Sequence, residues 1–386
     1  MKPVRLGIIG LGNIGSHHAE YLLAGKVQRC ELKAVANPSA EKLVPYQQRG
    51  LQVFNDGNEL IRSGAVDAVI VATPHYQHTS LGIAAFQAGL HVLVEKPISA
   101  HKADAERLLA VRRQHPKLVF AAMFQLRAES RYNKIRSLIA EGQLGGVARF
   151  SWIVTDWFRT EAYYASSAWR ATWKGEGGGV LINQCLHQLD MVQWLLGMPA
   201  RARGFVHLGR FHHIEVEDDV TAYLEFPNGA TGTFVSTTGE APGANRLEIC
   251  GDRGRLLLEN DRLLFLRNEV SAAELCRTAR LGFQKPEVRQ TEIPIPPEPA
   301  QHAALTRNFV DAILDGAPLI APGEEGIHSI ELANAILYSG LTGQTVELPL
   351  DAAAYEGKLN ELIAASTLEK KVLKTSSEDF ARSFVR

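Results

Sequence analysis

Cysteine is scarce in this 386-residue chain: Cys30, Cys185, Cys250 and Cys276 stand far apart, and no two form a CxxC pair. That spacing argues against a disulfide framework and against a cysteine-based metal site, so reduced thiols and no bound metal are expected. No apolar run approaches the roughly 20 residues of a membrane-crossing helix, so no membrane partner is expected. The opening "MKPVRLGIIG" lacks a basic region followed by a long apolar stretch, which predicts no secretory signal and a cytoplasmic location. Neither sign of charge dominates, with 41 Lys and Arg against 42 Asp and Glu. No basic cluster interrupts that balance, and nucleic acid is not an expected partner. Repeats and low-complexity tracts are also missing.

What is present is an ordinary globular composition, 46% hydrophobic and 22% charged, in a chain longer than one core usually supports. The first third alternates strand and helix patterns. "VRLGIIG", "ELKAVAN", "VDAVIVATP", "LHVLVEKP" and "KLVFAAM" read as buried parallel strands, with "LQVF" a shorter one. This rhythm predicts a doubly wound α/β sheet. "GLGNIG", with Gly10, Gly12, Asn13, Ile14 and Gly15, falls between the first strand and the first helix. In that context the first glycine turns the chain, the second admits a pyrophosphate, and the third lets helix and strand pack closely. A bound dinucleotide follows. Asn37 closes the second strand where the adenosine ribose would lie, and no arginine follows at once to bind a 2′-phosphate. NAD is therefore favoured over NADP.

Beyond residue 126 the pattern changes to successive strands, among them "VARFSWIVTDWFR", "VTAYLEF" and "ATGTFVSTT", joined by turns at "PNG", "DRG" and "ND". An α+β second domain with a large, open, mainly antiparallel sheet is expected over residues 126–350, after a nucleotide-binding domain at 1–125 and before a tail at 351–386. Its free face would join copies into a homodimer or homotetramer. Residues from about Ser271 to Gln301 carry prolines and no period, and read as a loop. In "GGGVLINQCLHQLD", Ile182, Leu186, Leu189, Val192 and Leu196 recur at helical spacing, which predicts a helix over the whole stretch. Asn183, His187 and Asp190 would then form a polar line beside the buried stripe.

"GLGNIG", "VATPHYQH", "VEKPIS", "GGGVLINQCLHQLD" and "VEDDVTAYLEFPNGA" occur in this order with family-like separations. Together they resemble the glucose–fructose oxidoreductase / inositol dehydrogenase (Gfo/Idh/MocA) family over roughly Val4 to Pro349. The resemblance implies a Rossmann domain followed by an open-sheet domain, and hydride transfer between a nicotinamide and a secondary hydroxyl of a sugar, glycoside or cyclic polyol. By match to the family's EKP motif, Lys96 would contact substrate and nicotinamide ribose, Glu95 would line the cofactor cleft, and the bond before Pro97 is often cis in relatives. His187 would be the catalytic histidine, with Asn183 in place of the usual acidic residue.

The chemistry agrees with that assignment. A histidine can accept the hydroxyl proton, and a lysine cation stabilises the alkoxide that forms. Thr73, Pro74, His75 and His78 follow the fourth strand at its ligand-binding end, and Gln125 and Arg127 follow the last strand of the first domain. Thr73 to His78 and Gln125 are expected along the cofactor, and Arg127 at the substrate. Trp157, Arg159, Tyr163 and Arg170 precede the His187 segment and offer aromatic faces and planar donors for a sugar. Asp190 is expected to be structural, and His212 and His213 to lie on a surface loop. Two other functions remain open at this point: a glycosidase-like enzyme that oxidises a ring hydroxyl transiently and recycles its own cofactor, and a dinucleotide sensor on the same fold.

Overall fold

The computed structural model describes residues 2–296 and 301–373. Six strands form the first sheet: β1 (Val4–Ile9), β2 (Cys30–Ala36), β3 (Gln52–Phe54), β4 (Ala68–Val71), β5 (His91–Val94) and β6 (Phe120–Ala122). All are parallel, in the order β3-β2-β1-β4-β5-β6. Every residue of β4 is buried, as befits a strand covered on both faces. The order reverses between β1 and β4, which opens a crevice beyond their carboxyl ends. Gly10 and Thr73 emerge there.

The second sheet contains β7 (Val147–Val154), β8 (Arg201–Leu208), β9 (Glu217–Glu225), β10 (Thr231–Thr237), β11 (Asn245–Gly251), β12 (Gly254–Glu259), β13 (Arg262–Asn268), β14 (Val288–Ile293) and β15 (Val346–Glu347). Their order is β14-β13-β12-β11-β7-β10-β9-β8-β15, antiparallel except for the parallel pair β7–β10. The hairpin from β12 to β13 turns at Asn260 and Asp261, both at positive φ (50° and 57°), the backbone that a tight two-residue turn requires. Trp152, Val220, Ala222, Leu224 and Phe234 point into the core, while Ile153, Phe205 and Tyr223 stay exposed on the opposite face. Helices Leu186–Leu196 and Gly326–Thr342 pack together, and the latter lies along β8.

Two sequence expectations need correction. The segment read as a loop holds a helix, Ala272–Thr278, and the edge strand β14, whose side chains are exposed except Ile293 and so carry no period. Part of the proline run, residues 297–300, lies outside the described residues, as does the end of the tail from residue 374. The helix predicted across "GGGVLINQCLHQLD" begins only at Leu186, and residues 177–185 are a chain of turns. Helix Gln301–Asp315 packs back on the first sheet's layer, where Thr306 Oγ1 lies 2.6 Å from the Tyr21 hydroxyl and Arg29 pairs with Asp311 and Asp315.

Candidate active site

The glycine turn after β1 has the geometry its sequence predicts. Gly10 adopts φ +98°, and a Cβ there would meet the Ala72 carbonyl oxygen at 2.5 Å. A Cβ on Gly15 would sit 1.9 Å from the Gly10 oxygen, whereas one on Gly12 would meet nothing within 4 Å. Helix Asn13–Leu23 starts at Gly12 without a side-chain cap, so its amino-terminal N–H groups face open space. Asn13 is exposed and Ile14 half-buried at that entrance. An uncapped helix end of this kind has the chemistry to receive a pyrophosphate. Asn37 fastens the turn from beneath, its Oδ1 accepting from Leu11 N at 3.0 Å.

Two further segments border the turn. Thr73 and Pro74 end the turn after β4, and the buried Thr73 Oγ1 has no hydrogen-bond partner. His75 donates to the Glu176 carbonyl at 3.0 Å, and burial holds its pKa well below the usual value, so it stays neutral. His78, expected along the cofactor, has both ring nitrogens engaged within the protein. Its two ring nitrogens lie 2.6 Å from the Pro97 carbonyl and 2.7 Å from the Thr73 carbonyl, so it ties the two loops together.

Lys96 follows β5, and the Lys96–Pro97 bond is cis. Its Nζ donates to the Asn183 carbonyl at 2.5 Å. Burial pushes its pKa down to about 8, against Glu95 and Glu176, which hold it up. Glu95 is itself gripped by His18, 2.6 Å away, which keeps its carboxyl below the ordinary range although burial opposes this. Glu95 is thus a fixed negative charge beneath Lys96.

His187, in the first turn of helix Leu186–Leu196, is buried, and the Gln125 amide lies 3.2 Å from its Nε2. With the amide nitrogen facing the ring, Nε2 is an acceptor. Asn183 does not share a helix with His187, contrary to expectation. Its side chain donates to Glu176 in a short hydrogen bond, so the carboxylate that the 183 position lacks enters from seven residues upstream. Glu176 is fully buried, its pKa raised by that burial, and it also accepts from Ala171 N. Arg170 stands 3.9 Å from it.

The turns before His187 are held by Glu217 at the head of β9. Its carboxylate accepts from Gly179 N at 2.9 Å and Leu181 N at 3.1 Å. A Cβ on Gly179 would lie 1.9 Å from the Glu217 carbonyl oxygen. The glycine run therefore serves packing against β9. Glu176 and Glu217 were both missed by sequence reasoning, although Glu176 stands conspicuously alone among glycines in "GEGGG".

Of the residues expected to hold substrate, Tyr163, Arg170, Arg159 and Trp157 form one wall. The Tyr163 hydroxyl accepts from Arg170 Nη1 (2.7 Å) and Gln184 Nε2 (3.2 Å). The Arg159 guanidinium lies over the rings of Trp157 and Tyr163, at 5.3 and 5.1 Å. His212, expected on the surface, is buried and bridges Asp218 Oδ2 and the Arg159 carbonyl, each 2.9 Å away. The tail closes the wall from outside: Lys370 Nζ donates to the carbonyls of Tyr164 (2.6 Å) and Arg170, and Leu373 N to that of Ala165.

Arg127 is not in this wall. Its side chain is wholly buried in a bidentate pair with Asp190 (2.8 and 2.7 Å) and also binds Glu325. Asp190 is structural, as expected. His101, Asp104 and Glu356 converge elsewhere on the molecule, but Arg107 pairs with both carboxylates and holds them as an ion-pair network.

The doubly wound sheet, the glycine turn after its first strand and the similarity to known proteins define the class: an NAD-binding oxidoreductase. The chain belongs to the Gfo/Idh/MocA family. Residues 4–123 match the oxidoreductase family, NAD-binding Rossmann fold, and residues 132–257 match the GFO/IDH/MocA C-terminal domain. The chain is 27% identical to the myo-inositol 2-dehydrogenase of Thermotoga maritima over 67% of its own length and 76% of that protein. It is 27% identical to the 1,5-anhydro-D-fructose reductase of Ensifer adhaerens, over 89% and 98%. The fold is also that of the WlbA dehydrogenase from Bordetella pertussis in complex with NADH and UDP-GlcNAcA: TM-score 0.77, 24% identity, 90% of this chain and 100% of that one. Levoglucosan dehydrogenase in complex with NADH and L-sorbose superposes at TM-score 0.76 with 21% identity, over 91% and 100%. No helix among the described residues is long and apolar enough to cross a membrane.

Proposed function

We propose that this enzyme interconverts a secondary hydroxyl and a ketone on a sugar, glycoside or cyclic polyol, with His187 as acid/base and Lys96 as the cation that polarises the oxygen. The observation that carries this is convergence: Lys96 from the first sheet rests on the Asn183 carbonyl (2.5 Å), four residues before His187, which Gln125 meets at 3.2 Å. The bound nicotinamide supplies the hydride acceptor in oxidation. Gly10, Gly12, Asn13, Ile14, Gly15, Asn37, Thr73, Pro74, His75, Glu95 and Gln125 are the residues we place along the dinucleotide. In the oxidative direction the substrate hydroxyl displaces the Gln125 amide from His187 Nε2 and gives up its proton there while the Lys96 ammonium stabilises the alkoxide, and the electron pair leaves with the C–H hydrogen.

We place the enzyme in the cytoplasm as a homodimer or homotetramer joined through the exposed face that carries Ile153, Phe205 and Tyr223. The working domain division is 1–125, 126–350 and 351–386, with helix Gln301–Asp315 packed on the first. The test is NADH formation from NAD across neutral sugars, glycosides, inositols and uronates. His187→Ala should lower kcat by roughly 10²–10⁴-fold while NADH still binds. Formation of no reduced cofactor, despite binding, would remove the freely turning-over dehydrogenase. The pH profile checks the role of Lys96. Its ammonium is present below about 8 and lost above, so kcat/KM should fall as pH rises through about 8. A rise through that range would instead make Lys96 the base.

A further inference from the structure

The wall formed by Trp157, Arg159, Tyr163 and Arg170 carries more cationic hydrogen-bonding capacity than the protein itself uses. Arg170 is sandwiched between the rings of Tyr163 and Trp169, 4.4 and 4.7 Å from its guanidinium carbon. Its side chain is 17% exposed, which leaves it an opening. Nη1 is bonded to Tyr163, but the buried Nε has no partner. Glu176, the nearest carboxylate, stands 3.9 Å off with its oxygens already engaged by Ala171 N and the Asn183 amide. Arg159 lies on the other side of the Tyr163 ring, and its guanidinium bonds locally to the Phe158 carbonyl. Glu176 also accepts from the Asn183 side chain, and the Asn183 carbonyl receives Lys96, so a short chain of contacts joins this fork to the Lys96 ammonium.

Resting on the dehydrogenase reading, we propose that the substrate is a sugar acid whose carboxylate is bound by Arg170, with Arg159 as the second cation. A neutral hydroxyl would satisfy one donor at most. A carboxylate offers two in-plane oxygens and matches the guanidinium fork, adding a charge-assisted partner to the Glu176 carboxylate that stands 3.9 Å away. Tyr163 and Trp169 hold the fork in place, so little side-chain freedom remains to be lost on binding.

The experiment compares matched pairs with the full-length protein and NAD: glucose against glucuronate, galactose against galacturonate, with glucose 6-phosphate as a second anion. The expected result is kcat/KM at least about 100-fold higher for the acids, the discrimination that a bidentate charged contact supports. In Arg170→Gln that ratio should collapse by more than tenfold, and Arg170→Lys should restore only part of it. Circular dichroism and the NADH dissociation constant serve as checks on folding. If Arg170→Gln does not fold, Arg159→Gln carries the same comparison. Equal wild-type rates on acid and neutral partners would overturn the proposal, as would an unchanged ratio in the variants or a preference for the phosphate. If no sugar is turned over, calorimetry of glucuronate and glucose on the protein–NADH complex separates the two ideas. Tighter glucuronate binding that is lost in Arg170→Gln upholds the carboxylate site while the dehydrogenase reading fails. Equal or absent binding overturns the carboxylate site.

Discussion

The turn at Gly10–Gly15 and the turn at Gly177–Leu181 begin alike and end differently. Each opens on a glycine at positive φ, Gly10 at 98° and Gly177 at 83°. Each has a glycine whose Cβ would stand 1.9 Å from a carbonyl oxygen, Gly15 against Gly10 and Gly179 against Glu217. The first then leads into a helix whose amino end is uncapped. In the second, the amides of Gly179 and Leu181 already hold a carboxylate, that of Glu217. One turn is left free for an anion from outside, and the other is closed by an anion from within. Glycine content alone does not separate a ligand cradle from a structural knot. The destination of the N–H groups does.

That contrast can be broken by substitution. Adding one methyl group to each turn should give the largest effects, and they should fall on different parameters. Gly15→Ala should weaken NADH binding by roughly 10–100-fold, the usual cost of overpacking expressed as affinity. Gly179→Ala should leave NADH binding near wild type but lower kcat by about 100-fold, because an ångström-scale displacement of His187 suffices for that. Fluorescence titration and turnover assays read the two. If both variants damaged the same parameter, the division of labour would be wrong.

A smaller effect tests the inner anion. Burial pushes Glu217 up to about 7, despite the amides that favour its charged form. Its folded pKa exceeds its unfolded value, so the stability from proton uptake is full below about 4.5 and is lost as pH rises through about 7. Wild type should therefore lose more thermal stability between pH 5 and 8 than Glu217→Gln, which cannot titrate. The difference should be on the order of 2 kcal/mol, and parallel curves would mean the carboxylate is already ionised at pH 5. The smallest effect concerns the tail. Lys370→Met removes the ammonium that holds the Tyr164 and Arg170 carbonyls, and should raise the sugar KM roughly threefold to tenfold with kcat preserved. An unchanged KM would show that the wall stands without its strap.

The first sheet was legible because its central strands are buried on both faces and declare themselves as apolar runs; the edge strand β3, which has no fully buried residue, was still read from "LQVF". The second sheet was legible wherever one face is buried and failed at β14, which buries almost nothing. The site was half legible. Gln125 meets His187, Lys96 meets the Asn183 carbonyl, and Arg170 meets Tyr163, contacts between motifs that the sequence had singled out separately. Asn183 misled because Ile182, Leu186 and Leu189 keep helical spacing through a turn, and spacing does not register that the amides of Gly179 and Leu181 have turned toward Glu217. Arg127 misled for a similar reason: its partner Asp190 lies 63 positions away, and pairing at that range leaves no local pattern.

The Arg127 contact has a consequence for building chimaeras. Arg127 sits just beyond the last strand of the first sheet, while its two acceptors belong to the helix that bears His187 and to the residue preceding helix Gly326–Thr342. A chimaera that exchanges the cofactor layer at residue 125 would keep this clasp whole, whereas one cut a few residues later would import a stranger opposite Asp190. Without its guanidinium, Asp190 would be a stranded charge in the core, a defect of about 3–5 kcal/mol. The seam for transplanting cofactor preference into this scaffold therefore runs on the amino-terminal side of Arg127.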